Sequence, residues 1–190
     1  MPHFIDIVSL KEKVFVLNSL ALSGEYFSIK YFIGVKEHQR YYTDQDYYQT
    51  TKSIVSNYAI ELAVKLRNSA ELMEEKNISY ENEETIACFN AGNQADGKSE
   101  SHDLLYICNK IIHAKKFSID TVSSSKYKAD FKWWSGELTL SGTLPGKKQT
   151  PWEFFFSITS WCESAIKFIN SCEKSLNLIN EQSEDRATYS

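Results

Sequence analysis

The segment TPWEFFFSITSWCESAIKFINSCEKSLNLI, residues 150–179, decides the fold more than any other stretch of the chain. Thr150 suits an N-cap, Pro151 suits the first helical position, and Glu153 completes a capping box. Apolar residues then recur at spacings of three and four: Phe155, Ile158, Cys162, Ala165, Ile169, Cys172, Leu176 and Ile179. These spacings place them on one face of a helix. The segment therefore predicts a helix of roughly 45 Å beginning near Thr150.

A second long helix is predicted upstream, from an N-cap at Thr43 to about Glu75. Its acidic first turn favours a helix N-terminus, and its apolar residues line one face: Tyr48, Val55, Ala59, Leu62, Leu66 and Met73. We expect the last helix to pack antiparallel on this one. Pairing of the last helix with its copy in a homodimer is the alternative.

Shorter elements complete the pattern. A helix is predicted up to Ser23-Gly24, whereas residues 26–35 fit a helix or a strand equally well. A short helix capped by Ser101 should run to about Ala114. Three short strands follow, with a tight turn at Ser135-Gly136.

The predicted fold is mainly α, a bundle of long antiparallel helices with a small inserted antiparallel β-meander. The length of 190 residues favours one domain, which we place at residues 1–180. Within it, residues 76–100 form a flexible acidic loop and residues 117–143 form the meander. Residues 181–190 form a polar tail.

Composition narrows the classes of function. The net charge of −4 provides no general attraction to nucleic acid. The four cysteines include no C-x-x-C pair, so a zinc site is not expected. The sequence also has neither a phosphate loop nor a dinucleotide fingerprint, so no other cofactor is expected. Two of the cysteines fall on the apolar stripe of the last helix, which is typical of reduced thiols in the cytoplasm. No stretch reaches the ~20 apolar residues of a membrane span.

One motif has a known counterpart. The sequence Cys108-Asn109-Lys110-Ile111-Ile112-His113 resembles the signature of HEPN domains, helical proteins of bacterial toxin–antitoxin and antiviral systems. Catalytic members carry an arginine, a polar residue, three further residues and a histidine. The resemblance implies a metal-independent ribonuclease with His113 as acid/base. In such an enzyme Asn109 would orient the substrate, and Lys110 or Lys115 would replace the missing arginine.

The motif is degenerate because Cys108 occupies the arginine position. A cysteine offers neither the positive charge nor the planar donor fork that stabilises a phosphate in the transition state. A HEPN-like fold whose catalytic use is lost fits this replacement. Asn109 and His113 are also four residues apart, as in a structural pair on one helix face.

Charge is divided along the chain. Nine acidic residues against two lysines give residues 71–103 a net charge of −7, whereas eight lysines against three acids give residues 104–148 a net charge of +5. An acidic surface attracts a basic partner and guides its approach. The adjacent Trp133 and Trp134 lie on a predicted strand and so point to opposite faces, which leaves one of them facing outward. The predicted partner-binding residues are Glu81, Glu83, Glu84, Asp96, Glu100 and Trp134.

Together these features predict a non-enzymatic, immunity- or antitoxin-like protein that neutralises a basic toxin, such as a nuclease, by direct binding. The alternative is the HEPN-type ribonuclease, for which RNA is the partner.

Overall fold

The computed structural model describes residues 5–32, 42–80, 85–90, 99–123, 132–143 and 151–188. In these residues the elements follow one another as α1 (Ile7–Tyr31), α2 (Asp44–Glu75), β1 (Thr85–Asn90), β2 (Ser99–Asp103), α3 (Leu104–Ile112), β3 (Lys116–Val122), β4 (Trp133–Thr143), β5 (Pro151–Ser157) and α4 (Ile158–Thr188). The prediction of a mainly α chain with a smaller antiparallel β component is confirmed.

The five strands form one antiparallel sheet in the order β2-β1-β5-β4-β3. The central strand β5 pairs with β1 on one side and β4 on the other. The prediction of a separate meander at residues 117–143 is therefore wrong, since β3 and β4 are one edge of a larger sheet. The missing strands are β1, β2 and β5. The sequence pattern assigned β1 to the loop, β2 to the end of the loop and the start of the short helix, and β5 to the last helix.

The start of the last helix is corrected as well. Residues 151–157 form β5, because Trp152, Phe154 and Phe156 alternate along the chain and are all buried. Pro151 is tolerated as the first residue of a strand. Helix α4 begins at Ile158, and its buried residues then follow the predicted stripe: Cys162, Ala165, Ile169 and Cys172.

The predicted turn at Ser135-Gly136 lies inside the continuous strand β4. Gly136 has φ = 87°, a left-handed conformation that favours glycine. The neighbouring strand β3 shifts register between Ile119 and Thr121, next to this point. The irregularity is therefore absorbed as a local bulge rather than a chain reversal. Most of the predicted strand at 127–133 lies outside the described residues.

Helix α1 is the element that joins the helical layer. It packs against α2, α4 and β4, whereas α2 and α4 meet over only a short stretch. The prediction that the last helix packs mainly on the second is therefore wrong. The α1 stripe of Leu10, Val14 and Leu17 fills the space between the two. Helix α3 packs against α2 on its other side.

Residues 76–100 are not one structureless loop. Strand β1 begins at Thr85 and buries Ile86 and Cys88, which alternate toward the core. Strand β2 includes Ser101, so that residue is not the N-cap of α3. The cap is Asp103, whose carboxylate accepts a hydrogen bond from Tyr106 N at 2.8 Å.

The ends of the long helices extend beyond their predicted limits. Helix α1 continues to Tyr31, which settles the open choice for residues 26–31 in favour of helix. Helix α4 continues to Thr188 through residues that were predicted as a polar tail. That stretch contains no glycine or proline to end a helix. Among the described residues, no helix has the length and apolarity of a membrane span.

Candidate functional site

Helix α3 separates the residues of the HEPN-like motif onto two faces. Leu104, Ile107, Cys108 and Ile111 are buried, whereas Asn109 and His113 are exposed. His113 is the C-cap residue, and its backbone N–H donates to Asn109 O at 3.1 Å. The exposed pair can reach a partner or a substrate. The position that would hold the arginine points into the core.

The environment of Cys108 is apolar and fully closed to solvent. Burial raises the pKa of the Cys108 thiol to about 12. A neutral thiol in the core supplies neither a nucleophile nor a charge at neutral pH. Its physical role here is that of a small hydrophobe between α3 and its neighbours.

Lys110, by contrast, lies against two aromatic rings. Its Nζ is 4.5 Å from the centroid of Trp152 and 5.3 Å from that of Tyr106. Partial burial lowers the pKa of Lys110. The Trp152 ring lies directly over Gly142, where a Cβ would be only 2.5 Å from Cζ2, so the glycine leaves the room that the ring occupies. The lysine therefore has a defined position instead of a freely moving side chain.

A histidine that sequence reasoning passed over joins this group. His102 stacks on Tyr106 with ring centroids 3.9 Å apart and an interplanar angle of 14°. Its Nε2 is 3.1 Å from Glu100 Oε2. Glu100 and His102 alternate on β2 and so share one face of the strand. That period-two spacing was the signal available in the sequence.

The structure thus gathers Glu100, His102, Tyr106, Lys110 and Trp152 into one cluster. It combines a carboxylate, an imidazole and a cation with aromatic surface. Asn109 and His113 lie on the same helix, yet no hydrogen bond joins their side chains to this cluster or to each other within the described residues. The predicted catalytic residues are therefore present at the surface without being assembled into a closed site.

A second candidate surface lies where the start of α1 meets the end of α2. A cavity of about 350 Å³ opens there, with Ile5, Leu10 and Leu72 among its lining residues. Three exposed carboxylates border it, those of Asp6, Glu71 and Glu75, which we call the acidic rim.

The carboxylates of the acidic rim differ in their interactions. Asp6 is the N-cap of α1 and accepts a hydrogen bond from Ser9 N at 3.0 Å, and no ion pair to Asp6 or Glu75 is formed by the residues that the structure describes. Glu71 accepts a hydrogen bond from Arg67 Nε at 3.0 Å across one exposed helical turn. Lys65 also lines the cavity, but its Nζ lies 3.5 Å from Glu61. The last turn of α2 contains no basic residue. The surface is therefore acidic, with an apolar floor.

Tyr80 extends this region toward α4. Its hydroxyl donates to Glu74 Oε1 at 2.8 Å, and its ring meets Phe168 edge to face. Burial and the Glu74 carboxylate raise the pKa of Tyr80 to about 12. The chain that follows α2 is thus held against α4 at Tyr80, directly before the acidic residues that begin at Glu81.

Trp134 is not a surface anchor. Only 1% of the residue is exposed, and its Nε1 donates to Glu137 O at 2.7 Å. Trp133 on the opposite face is also buried. The prediction that Trp134 contacts a partner is therefore wrong, because Trp134 lies in the main hydrophobic core, whereas Trp133 packs in a smaller cluster with Phe32 and lies against Gly24 of α1.

Of the other predicted partner-binding residues, Glu100 is exposed on β2. Glu81, Glu83, Glu84 and Asp96 lie outside the described residues. No cluster of three potential metal ligands occurs in the described parts of the chain, and all four cysteines are free and buried. The chain matches no protein-family model, no curated protein and no solved structure.

Proposed function

We propose that this protein is a non-enzymatic binding protein, immunity- or antitoxin-like, which neutralises a basic toxin in a bacterial conflict system by direct contact. A nuclease is the partner class that fits best, because a nuclease must carry a basic surface to hold its polyanionic substrate. The acidic rim and the acidic residues that follow it in sequence, from Glu81 to Glu100, would form the contact surface.

The observation that carries the proposal is the position of the acidic residues at the end of α2. Glu71, Glu74 and Glu75 occupy the last two turns, where the helix dipole is negative. Carboxylates there destabilise a helix, and they also repel one another. A stability cost of this kind is typical of residues retained for binding.

The state of Cys108 supports the absence of catalysis. The arginine position of the HEPN-like motif is filled by a neutral, buried thiol. In this proposal the protein shares the fold and ancestry of HEPN domains but has lost their catalytic chemistry. The long helices α1, α2 and α4 would then act as the rigid antiparallel frame of a cytoplasmic protein.

Affinity purification from the native host tests the proposal. The tagged protein is captured at low and at high salt, and both bound protein and bound RNA are identified. We expect one stoichiometric basic protein that is lost at high salt, because exposed charge pairs are screened. Recovery of RNA without a basic protein would contradict the proposal.

The alternative is a HEPN-type metal-independent ribonuclease. It is favoured by one observation, the exposure of Asn109 and His113 beside Lys110 on the same helix. It requires RNA cleavage in the presence of a chelator that is abolished by His113→Ala. His102→Ala is the matched control, since His102 lies in the neighbouring cluster and outside the motif.

A further inference from the structure

Helix α1 carries large apolar side chains on the face that points away from the molecule. The exposed fractions are 79% for Val8, 71% for Phe15, 74% for Leu22 and 70% for Tyr26. Val8, Phe15 and Leu22 are seven residues apart, and the partly buried Ile29 continues the repeat. A seven-residue apolar repeat lines one side of a helix and is typical of helix pairing.

The opposite face of α1 is already committed to the core through Leu10, Val14 and Leu17. The helix is therefore apolar on two sides. A helix with apolar residues all around is normally covered all around. Within the described residues, no other element covers the outer stripe of α1. Monomeric proteins rarely expose a contiguous apolar patch of this kind.

We propose that the outer stripe of α1 is a homodimer interface in which two copies of α1 pair antiparallel about a two-fold axis. In this register, Val8 lies opposite Tyr26 of the second copy, and Phe15 lies opposite the small Ser19. Leu22 lies opposite the methylene groups of Glu12.

The charged residues beside the stripe favour a second copy of α1 as its partner and an antiparallel orientation of the two helices. Lys11 and Glu25 flank the stripe on the same side, so that antiparallel pairing sets each Lys11 beside Glu25 of the other copy, twice by symmetry. Lys11 already contacts Glu173 of α4, which holds it at the edge of the stripe. Parallel pairing would instead bring the two Glu12 carboxylates together in the seam. The stripe is therefore complementary to itself in one orientation.

The size of the stripe is adequate for a stable pair. Aromatic side chains bury about 150–250 Å² each. At the observed exposures, the four large side chains would bury roughly 500 Å² per copy. The symmetric pair would bury roughly 1,000 Å², near the lower limit of specific interfaces.

The mass of the purified full chain in solution tests the proposal. Light scattering or sedimentation at 1–100 µM should give about twice the chain mass of 21.9 kDa. Phe15→Glu should return the mass to that of one chain while circular dichroism stays unchanged. Glu12→Leu should lower the dimer dissociation constant at least tenfold, because it removes a charge from the seam. Val122→Glu, at an exposed apolar residue on β3, is the matched control and should remain dimeric.

Three outcomes would overturn the proposal: a wild-type monomer over the whole range, a dimer that survives Phe15→Glu, or Glu12→Leu without effect. Cross-linking with a short bismaleimide tests the direction. Val16→Cys lies one residue from the two-fold axis, so its two copies are offset by only two residues, roughly 3 Å along the helix, and should cross-link. Ser23→Cys should not, since the two positions are twelve residues apart in this register, roughly 18 Å along the helix. Cross-linking of both variants would refute the antiparallel pairing.

Discussion

Neutralising Glu75 should increase the stability of the folded protein, whereas most substitutions decrease stability. Glu75 is exposed in the last turn of α2, which contains no basic residue, and the nearest basic residue is the exposed C-cap Lys76. Removing a charge that opposes the dipole is worth about 0.3–1 kcal/mol. Relief of the like-charge pair with Glu71, four residues earlier, adds about 0.2–0.5 kcal/mol. Glu75→Gln should therefore raise the free energy of unfolding by roughly 1 kcal/mol.

Urea denaturation followed by circular dichroism measures this gain, and it corresponds to about 2–4 °C in Tm for a chain of this size. The gain should shrink at 1 M salt, where exposed charges are screened within about 3 Å. Asp46→Asn is the contrasting variant, since the Asp46 carboxylate accepts hydrogen bonds from Thr43 N and Oγ1 at the other end of α2, and loss of its charge should destabilise. An unchanged or reduced stability of Glu75→Gln would refute the view that the rim is retained at a cost.

Three further variants probe the frame and the site. Glu61→Gln should cost about 1 kcal/mol in urea denaturation, because the pair is half exposed and its loss leaves the buried Lys13 ammonium without its carboxylate partner at 3.0 Å. The hydrogen bond from Lys13 holds the pKa of Glu61 below its usual value of 4.5, so in the wild type this stability is present above that value and is lost as the pH falls through the lowered pKa. A wild-type protein and a Glu61→Gln variant with the same acid profile would contradict this. Gly142→Ala should lower Tm by several degrees, because its Cβ meets the ring of Trp152; an unchanged Tm would show that the ring is free to move. Cys108→Arg should cost at least about 3 kcal/mol without creating ribonuclease activity, since it buries an unpaired charge; a folded variant that cleaves RNA would refute the burial of this position.

The long helices could be predicted because their signals are repeated many times. Thr43 with Asp46 forms the capping box of α2, and the residues from Ile158 to Cys172 keep a helical period throughout. Residues 151–157 were wrongly predicted as the start of a helix because Pro151 and Glu153 match the pattern of a helix N-terminus. They form a strand because Trp152, Phe154 and Phe156 alternate and make stronger tertiary contacts in the sheet. In such cases the tertiary packing of side chains overrides the local conformational propensity of the segment.

The sites depended on contacts between distant segments, which a single sequence does not encode locally. Glu100 was predicted as exposed and acidic, but its pairing with His102 requires the period of a strand that the loop assignment concealed. Lys110 was predicted as a replacement cation, whereas the ring that it contacts, Trp152, comes from the central strand β5, about forty residues further along the chain. Trp134 was misassigned because the covering helix α1 is remote in sequence.

The most direct test of the central claim is a titration of the basic partner, recovered by affinity purification, into Glu71→Gln/Glu75→Gln at two salt concentrations. The control is Glu153→Gln/Glu163→Gln, which removes two exposed carboxylates from β5 and α4. We predict that the rim variant weakens binding at least tenfold at low salt, which is about 1.4 kcal/mol. The control should bind like the wild type, and the difference should narrow at high salt. Equal affinities of the rim variant and the control would contradict the claim that the acidic rim binds the partner.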